Sequence, residues 1–467
     1  FIWLLSSGNK WVSAFVALIF GIHPMHVESV AWISERKDLL YTLFYVAAMI
    51  GYVKYVQLKQ TKYLIWVTVL GALSLLCKPA AIVLPLSLLA IDYYLRREWS
   101  WTWIMEKIPL FILSGIFAYA TLAIQAKRAV ASVDVYGIVD RICFAGYGLV
   151  FYLQKLIVPY PLSALHPFPK ELTVYYYAAT AIAVAGIAFL ILKVRNRNVL
   201  FGFGFYIINL VLVLQLISIG NAVVAERYTY VPYIGLLFML AMEVALAIKN
   251  KLSSYKTLLL SLAGIWIIFL AFLTWTRIPV WNNSQALWEN VLRQYPESPR
   301  AWTNKGLDLF DQKKWPEVIA DLSNALKADP NYADALEWRC RAYLETKEPD
   351  KALSDATQFY KAYPQKEAAL FLMARAQDGT GRSETALTTY NQLIAAYPSK
   401  PEYINNRGVI YFNKLQRYPE AKADFEEAIR LNATNGSYHL NLSRCYYMMN
   451  DLTGARTYAV KAKELGA

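Results

Sequence analysis

Long apolar runs alternate with short polar segments through the first 276 residues. Several runs approach the ~20 residues that a helix needs to cross a bilayer. Ten of them can be read from the sequence, at residues 11–22, 38–57, 63–77, 79–95, 108–126, 139–158, 174–192, 199–219, 230–248 and 257–276. The pattern predicts a multi-span membrane domain over residues 1–276.

Four of the loops between these runs are basic and nearly free of acidic residues. They carry Lys54, Lys59 and Lys62; Arg96 and Arg97; Lys193, Arg195 and Arg197; and Lys249, Lys251 and Lys256. The positive-inside rule places all four in the cytoplasm. Two loops on one side must be joined by an even number of crossings, yet three apolar runs separate Arg97 from Lys193. Run 139–158 has polar ends, so we expect it to be interfacial, which leaves about nine crossings.

This topology puts the remaining loops on the outer face of the membrane, together with everything after residue 276. They span residues 23–37, 78–79, 127–137, 160–173 and 220–229. The unusual polar strings of the membrane half all fall in these loops or directly beside them. Ionisable groups at a membrane edge are costly and often functional, so we expect these loops to converge on a site.

A 34-residue period runs through the last third of the sequence. It is marked by Pro296, Pro330, Pro364 and Pro398. This is the period of the tetratricopeptide repeat, a pair of helices that stacks into a solenoid. We predict a connector helix over 277–298 and five repeats over 299–467, the fourth being one residue longer between Tyr411 and Ala421. Such a solenoid offers a concave groove to a protein or peptide partner.

Composition agrees with the membrane assignment, since 57% of the 467 residues are hydrophobic and 17% are charged. The net charge of +13 comes mostly from the first 276 residues, which hold 22 Lys and Arg against 11 acids. Basic residues confined to short loops indicate topology and lipid headgroup contact, not a nucleic-acid partner. The four cysteines have no CxxC spacing and do not indicate a redox compartment.

Three strings in the outer loops supply the candidate site residues. The first, HPMHVESVAWISERKDLLYTLF, contains His23, His26, Glu28, Arg36, Lys37 and Asp38. Lys78 follows in CKPAAIVLPL, and AERYTYVP supplies Glu226, Arg227 and Tyr228. Arginine and lysine at a membrane rim can hold a lipid phosphate or simply reach the headgroups. His23, His26 and Glu28 could instead hold a divalent cation, although HxxH with one acid is an incomplete ligand set.

Taken together and in order, these strings resemble the membrane region of the transmembrane and tetratricopeptide-repeat O-mannosyltransferases and their bacterial relatives. The string WNNSQALWENVL before the repeats continues the likeness. The resemblance implies an all-α protein: a GT-C-like polytopic helix bundle followed by a tetratricopeptide solenoid. It also implies a glycosyltransferase that moves a sugar, mannose in the family, from a polyprenyl phosphate to a hydroxyl, on a protein recruited by the repeats. The setting would be a bacterial plasma membrane or the lumenal side of the endoplasmic reticulum.

The resemblance assigns roles to the candidate residues. Arg36, Lys37, Lys78, Arg227 and Tyr228 would bind the donor phosphate, while His23, His26 and Glu226 would shape the site. The acidic pair of the family lies in an outer loop that would precede Phe1, so the chain is expected to be truncated at its N-terminus. Its catalytic base is then unidentified, with Glu28 and Asp38 as the substitutes within the chain.

Two other functions fit parts of the sequence. A non-catalytic scaffold would use the spans as an anchor and the repeats to dock partners. It would not need ionisable clusters at several outer edges. A transporter or lipid flippase would need polar groups at mid-membrane, for which Asp92 and Glu243 are the candidates.

Overall fold

The structure, a computed structural model, describes residues 1–129, 136–169, 171–217, 222–250 and 253–467. In these residues the regular elements are helices, and strand-like pairing is limited to one isolated bridge between His166 and Val224. The predicted all-α class is therefore confirmed. The chain divides into two compact units, residues 1–294 and residues 295–467.

The first unit, called the membrane unit below, contains fourteen α-helices within the described ranges. They are α1 Ile2–Leu5, α2 Lys10–Ile22, α3 Val27–Ala31, α4 Arg36–Leu58, α5 Thr61–Cys77, α6 Leu84–Tyr94, α7 Thr102–Met105, α8 Ile108–Ala129, α9 Ile138–Ile157, α10 Val174–Lys193, α11 Arg197–Leu210, α12 Pro232–Asn250, α13 Lys256–Arg277 and α14 Ser284–Gln294. Most follow the predicted apolar runs closely. The run 199–219 is an exception, because its helix ends at Leu210 and a short 3₁₀ turn, Val211–Val213, follows.

Four helices in the described part of the chain are long and apolar enough to cross a membrane. They are Ile33–Leu58, Val174–Lys193, Pro232–Asn250 and Lys256–Trp281. A bent pair, Lys10–Ile22 with Pro24–Ala31, makes a fifth if it counts as one span, and four more apolar helices are shorter. Together they make nine apolar segments among the described residues, which equals the number of crossings that the loop charges predict. The number of crossings stays a prediction.

An antiparallel pair, α4 and α5, brings two charged positions of the outer loops to the same end of the bundle. Helix α4 ends at Leu58, and the next residue, Lys59, adopts a left-handed φ of 56° and turns the chain back. Gly51 allows the close approach of the two helices, because a Cβ there would lie 3.3 Å from a methyl group of Val67. The first turn of α4, with Asp38, therefore lies beside the last residue of α5 and Lys78.

A buried network ties helices together at the opposite end of α4. The ammonium group of Lys107 donates hydrogen bonds to Asp92 Oδ2 and Tyr52 Oη, each at 2.6 Å. The guanidinium group of Arg97 bonds to Asp92 Oδ1 at 2.9 Å and to both carboxylate oxygens of Glu106. Asp92 is thus neutralised by two cations, which makes it a structural anchor and a poor transporter site.

The second unit, called the repeat unit below, consists of ten helices in five successive pairs. They are α15 Pro299–Asp311, α16 Trp315–Ala328, α17 Ala333–Glu345, α18 Pro349–Ala362, α19 Glu367–Gly379, α20 Ser383–Ala396, α21 Pro401–Asn413, α22 Tyr418–Leu431, α23 Gly436–Met448 and α24 Leu452–Glu464. The turn inside each pair has one residue with positive φ: Lys313, Lys347, Gly381, Gln416 and Asn450. The extra residue of the fourth repeat lies in this turn, between Asn413 and Tyr418.

Ion pairs recur at equivalent positions of three repeats. A base on the first helix meets an aspartate on the second in Lys305–Asp321, Arg339–Asp355 and Arg407–Asp424. The two arginine pairs are bidentate, with N–O distances of 2.6 to 2.9 Å. The third repeat has Met373 and Thr389 at these positions, so the same contact is replaced there by neutral side chains.

Candidate functional site

Loops from distant parts of the sequence meet at one end of the membrane unit, as the outer-loop prediction requires. Arg227 bonds to Glu28, Lys78 bonds to Asp38, and the Val223 amide donates to the His166 carbonyl at 2.9 Å. The predicted loop 127–137 lies largely outside the described residues, as do Gly220, Asn221 and Lys251. Convergence is thus seen for the other outer loops.

Five charged residues form a continuous series at this end: Glu28, Arg227, Glu35, Lys78 and Asp38. We call them the loop charge cluster. Oε2 of Glu28 accepts a bond of 2.8 Å from the Arg227 amide, and its Oε1 accepts one from the guanidinium group. Arg227 Nε lies 3.7 Å from Glu35 Oε1, and Lys78 Nζ lies 3.7 Å from Glu35 Oε2. Lys78 also bonds directly to Asp38, so anions and cations alternate through the series.

Burial differs between the two kinds of charge. The side chains of Glu28, Glu35 and Asp38 are 1%, 5% and 1% exposed, whereas those of Arg227 and Lys78 are each 20% exposed. Lys37, at 49% exposure, approaches Glu35 Oε1 from the solvent side at 3.4 Å. The carboxylates are therefore more deeply buried than the cations that they hold.

Aromatic rings fix the orientation of the Arg227 side chain. Its guanidinium carbon lies 5.0 Å from the ring centre of Tyr228 and 5.6 Å from that of Trp32. Contacts of this kind favour a cation over a ring face and are stronger when water is excluded. Tyr228, predicted as a donor-binding residue, thus orients Arg227 in this structure.

The two histidines of the first string lie below this cluster in an aromatic layer. His23 packs on Tyr233 with a ring-centre distance of 5.2 Å, and His26 packs on Tyr230 at 4.9 Å. His23 Nε2 donates to the Leu156 carbonyl at 3.1 Å, and its Nδ1 accepts the Met25 amide. Their positions fit the predicted site-shaping role, because they anchor the turn that carries Glu28.

The structure does not assemble His23, His26 and Glu28 into the metal site that is the alternative interpretation of these residues. Among the described residues, no group of three or more His, Cys, Asp and Glu side chains is arranged to hold a metal ion. Both nitrogens of His23 are used by the backbone, Nδ1 of His26 bonds to the Phe20 carbonyl, and Glu28 is bound to Arg227. These contacts leave no shared set of lone pairs for a cation.

Glu226 forms a second buried ion pair, with Arg277. Oε1 of Glu226 accepts from Arg277 Nη2 at 2.8 Å, and Arg277 Nη1 also bonds to Asn290 and to the Leu162 carbonyl. Burial raises the pKa of Glu226 to about 8, against the attraction of Arg277. This pair fastens α14 and the end of α13 to the turn that carries Arg227.

The tetratricopeptide-repeat profiles match the repeat unit, at residues 303–367, 368–399 and 411–466. A curated relative, the protein O-mannosyl-transferase F38B6.6 of Caenorhabditis elegans, is 22% identical over 326 residues, which cover 68% of this chain and 46% of the relative. The protein O-mannosyl-transferase tmtc2 of Xenopus laevis is 32% identical over 24% of this chain and 14% of its own length. Human TMTC4, also a protein O-mannosyl-transferase by name, is 36% identical over 15% of this chain and 10% of its own length.

The chain contains tetratricopeptide repeats and is similar to the TMTC-type O-mannosyl-transferases. Its matches span about half the length of the nematode relative and less of the others. Among solved structures, MamA is 18% identical with a TM-score of 0.32, covering 36% of this chain and 92% of its own. The repeat protein TTC0263 of Thermus thermophilus is 20% identical with a TM-score of 0.32 and the same coverage.

The structure brings together most, but not all, of the predicted donor-binding residues. Arg36 is exposed and bonds to the Ile33 carbonyl at 3.1 Å, so it does not join the loop charge cluster. Three residues that contact the candidate site were not among the predicted site residues: Glu35, Trp32 and Arg277. Glu35 precedes Asp38 by three residues, which is the spacing of one helical face, and this spacing could have selected it. No local signal pairs Arg277 with Glu226, because 51 residues separate them.

Proposed function

We propose that this TMTC-like protein is a membrane glycosyltransferase that moves a sugar from a polyprenyl phosphate to a hydroxyl of a protein. The names of the relatives favour mannose as the sugar. The observation that carries the proposal is the loop charge cluster, which presents two partly exposed cations at one end of an apolar helix bundle.

The cations suit a departing lipid phosphate. When the bond between sugar and phosphate breaks, negative charge develops on the phosphate, and fixed cations stabilise it without having to reorganise. Arg227 is held by Glu28 and two aromatic rings, and Lys78 is held by Asp38. Both are therefore positioned before a donor arrives, and Lys37 can add a third positive charge from the solvent side.

Glu28 and Asp38 are better suited to holding these cations than to removing a proton from the acceptor. Both oxygens of Glu28 accept hydrogen bonds from Arg227, and those of Asp38 accept from Lys78 and Ser29. A general base needs a free lone pair directed at the acceptor hydroxyl. We therefore assign both carboxylates a positioning role and leave the base unassigned.

The repeat unit would recruit the protein acceptor. Tetratricopeptide repeats bind proteins and peptides through extended surfaces formed by stacked helices. The basic loops of the membrane unit favour a cytoplasmic position for their own side, and hence a non-cytoplasmic position for the repeats. Donor, acceptor and repeats would then be on one side of the membrane.

Transfer of labelled mannose from a polyprenyl-phosphate donor to protein tests this function. Arg227→Ala and Lys78→Ala should each lower the rate roughly 100-fold or more, as removal of one charge-stabilising donor does in other enzymes. Arg195→Ala is the matched control, because Arg195 is exposed and bonds only to helix-end carbonyls within the described residues.

Two results would contradict the proposal. One is the absence of transfer by the intact protein with polyprenyl-phosphate donors of several hexoses. The other is unchanged transfer by both variants. If there is no transfer and the repeat unit still binds a protein partner, the chain acts as the membrane-anchored scaffold.

A further inference from the structure

Glu35 is held differently from the other two carboxylates of the loop charge cluster. Glu28 and Asp38 accept hydrogen bonds on both of their oxygens. Oε2 of Glu35 is buried and accepts no hydrogen bond from the residues that the structure describes. A buried carboxylate oxygen without a donor costs free energy. The Glu35 carboxylate is therefore the least firmly hydrogen-bonded of the three.

Three cations surround the Glu35 carboxylate, all at longer distances than a charge-assisted hydrogen bond. Lys37 Nζ is 3.4 Å from Oε1, Arg227 Nε is 3.7 Å from Oε1, and Lys78 Nζ is 3.7 Å from Oε2. Charge-assisted N–O bonds are about 2.7–2.9 Å long. Several cations converging on one anionic group form the donor set that a phosphate takes. A carboxylate has fewer oxygens and fits this set loosely.

We propose that Glu35 is an internal anion that occupies the phosphate position of the loop charge cluster. This inference rests on the proposed function, because it concerns the same cations. A donor phosphate binds by displacing the Glu35 carboxylate from Arg227, Lys78 and Lys37. The spent lipid phosphate is released when the carboxylate returns.

The local backbone suits such an exchange. Glu35 ends the short 3₁₀ turn Ile33–Glu35, directly before α4 begins at Arg36. Ile33 is exposed beside it. Rotation of the Glu35 side chain away from the cations would leave Asp38 and the rest of α4 in place. Glu28 and Asp38, with both oxygens hydrogen-bonded, would keep the cations oriented while the third anion is exchanged.

If Glu35 has this role, its neutralisation changes the affinity for phosphate in the opposite direction from the change expected if Glu35 helped to build the site. If Glu35 competes with phosphate, its neutralisation strengthens phosphate binding, because two like charges no longer compete for the same cations. If Glu35 orients the cations, its neutralisation weakens binding. The substitution Glu35→Gln keeps the shape and removes the charge, so it separates the two cases.

Calorimetric binding of farnesyl phosphate to the detergent-purified protein is the test. Glu35→Gln should bind roughly tenfold more tightly than the unsubstituted protein, since it removes one competing charge near a partly exposed site. For farnesol, which lacks the phosphate, the substitution should not raise the affinity. For inorganic phosphate it should raise the affinity, because the cations recognise the phosphate group. Glu171→Gln, at an exposed acid of another outer loop, controls for the change in net charge.

The outcomes separate this inference from the proposed function. If the unsubstituted protein binds farnesyl phosphate, Arg227→Ala weakens that binding, and Glu35→Gln binds equally or more weakly, the donor site stands and the inference is overturned. A gain of the same size with farnesol would also overturn it. If none of the variants binds farnesyl phosphate or inorganic phosphate, both the inference and the donor site fail.

Discussion

In the repeat unit, Arg339 meets Asp355 sixteen residues further along the sequence, whereas in the membrane unit Arg227 meets Glu28 across 199 residues. Both pairs consist of an arginine and a buried carboxylate. The first is repeated with nearly the same separation in Lys305–Asp321 and Arg407–Asp424. Charges in the repeats are thus placed by a local period, and the loop charge cluster is placed by the folding of separate loops. Loss of one partner should therefore have different consequences in the two units.

The largest expected effect is the loss of Asp92 in the membrane unit. Asp92→Leu leaves Lys107 fully buried, with a tyrosine hydroxyl and the Trp103 carbonyl as its remaining hydrogen-bond partners among the described residues. Removing one partner of a buried ion pair costs about 3–5 kcal/mol, since the other charge stays uncompensated. The free energy of unfolding in detergent, measured by denaturant titration, should fall by this amount.

A second substitution checks the cause of that loss. In the double variant Asp92→Leu/Lys107→Met the unpaired charge is gone, so most of the stability should return. Asp355→Ala in the repeat unit is the matched comparison, because Arg339 is partly exposed and keeps a bond to Ser323. It should cost about 1 kcal/mol. If Asp92→Leu and Asp355→Ala lower the free energy of unfolding equally, losing one partner of an ion pair has the same cost in the two units and the comparison fails.

Two glycines at equivalent positions test whether helix packing, like the ion pairs, is the same from repeat to repeat. Gly306 and Gly408 are at the same position of their repeats, where other repeats have Cys340 and Ala374. A Cβ at Gly408 would lie 2.8 Å from the Phe425 ring, whereas at Gly306 the nearest atom would be 3.4 Å away. Gly408→Ala should therefore lower the free energy of unfolding by about 1–3 kcal/mol.

The control for this prediction is the equivalent change in the first repeat. Gly306→Ala should be neutral or stabilising by up to about 1 kcal/mol, because alanine favours the helix and its Cβ would make ordinary van der Waals contacts there. Urea titration of the full chain, followed by helical circular dichroism, measures both. A similar loss at the two glycines would mean that the repeats do not differ in packing as the structure indicates.

The sequence predicts the repeat unit in more detail than the candidate site. The proline spacing locates the first four helix pairs, and continuing the same period locates the fifth. The extra residue of the fourth repeat falls in the expected interval because a turn tolerates insertion. In the membrane unit, loop charges predict which segments converge, and Arg227, Lys78 and Asp38 do meet. The loop charges do not predict which charged residues pair with each other, since pairing across 199 residues depends on how the helices pack. Arg36 and Lys37 are adjacent in sequence, yet only Lys37 reaches the cluster, because the helix turns neighbouring side chains about 100° apart.

The last expected effect is a pH dependence that belongs to Glu226. Burial raises its pKa from 4.5 to about 8, so between these values the folded protein keeps a proton that the unfolded chain has released. The stability that Glu226 contributes is therefore fully present below pH 4.5 and is lost as the pH rises through about 8. Glu226→Gln cannot titrate and still offers an oxygen to Arg277. Thermal midpoints measured in detergent across this range should fall more steeply for the unsubstituted protein than for Glu226→Gln. If the thermal midpoints of the two proteins fall with the same slope, Glu226 does not titrate in this pH range. The attraction of Arg277 would then outweigh the effect of burial on the pKa of Glu226.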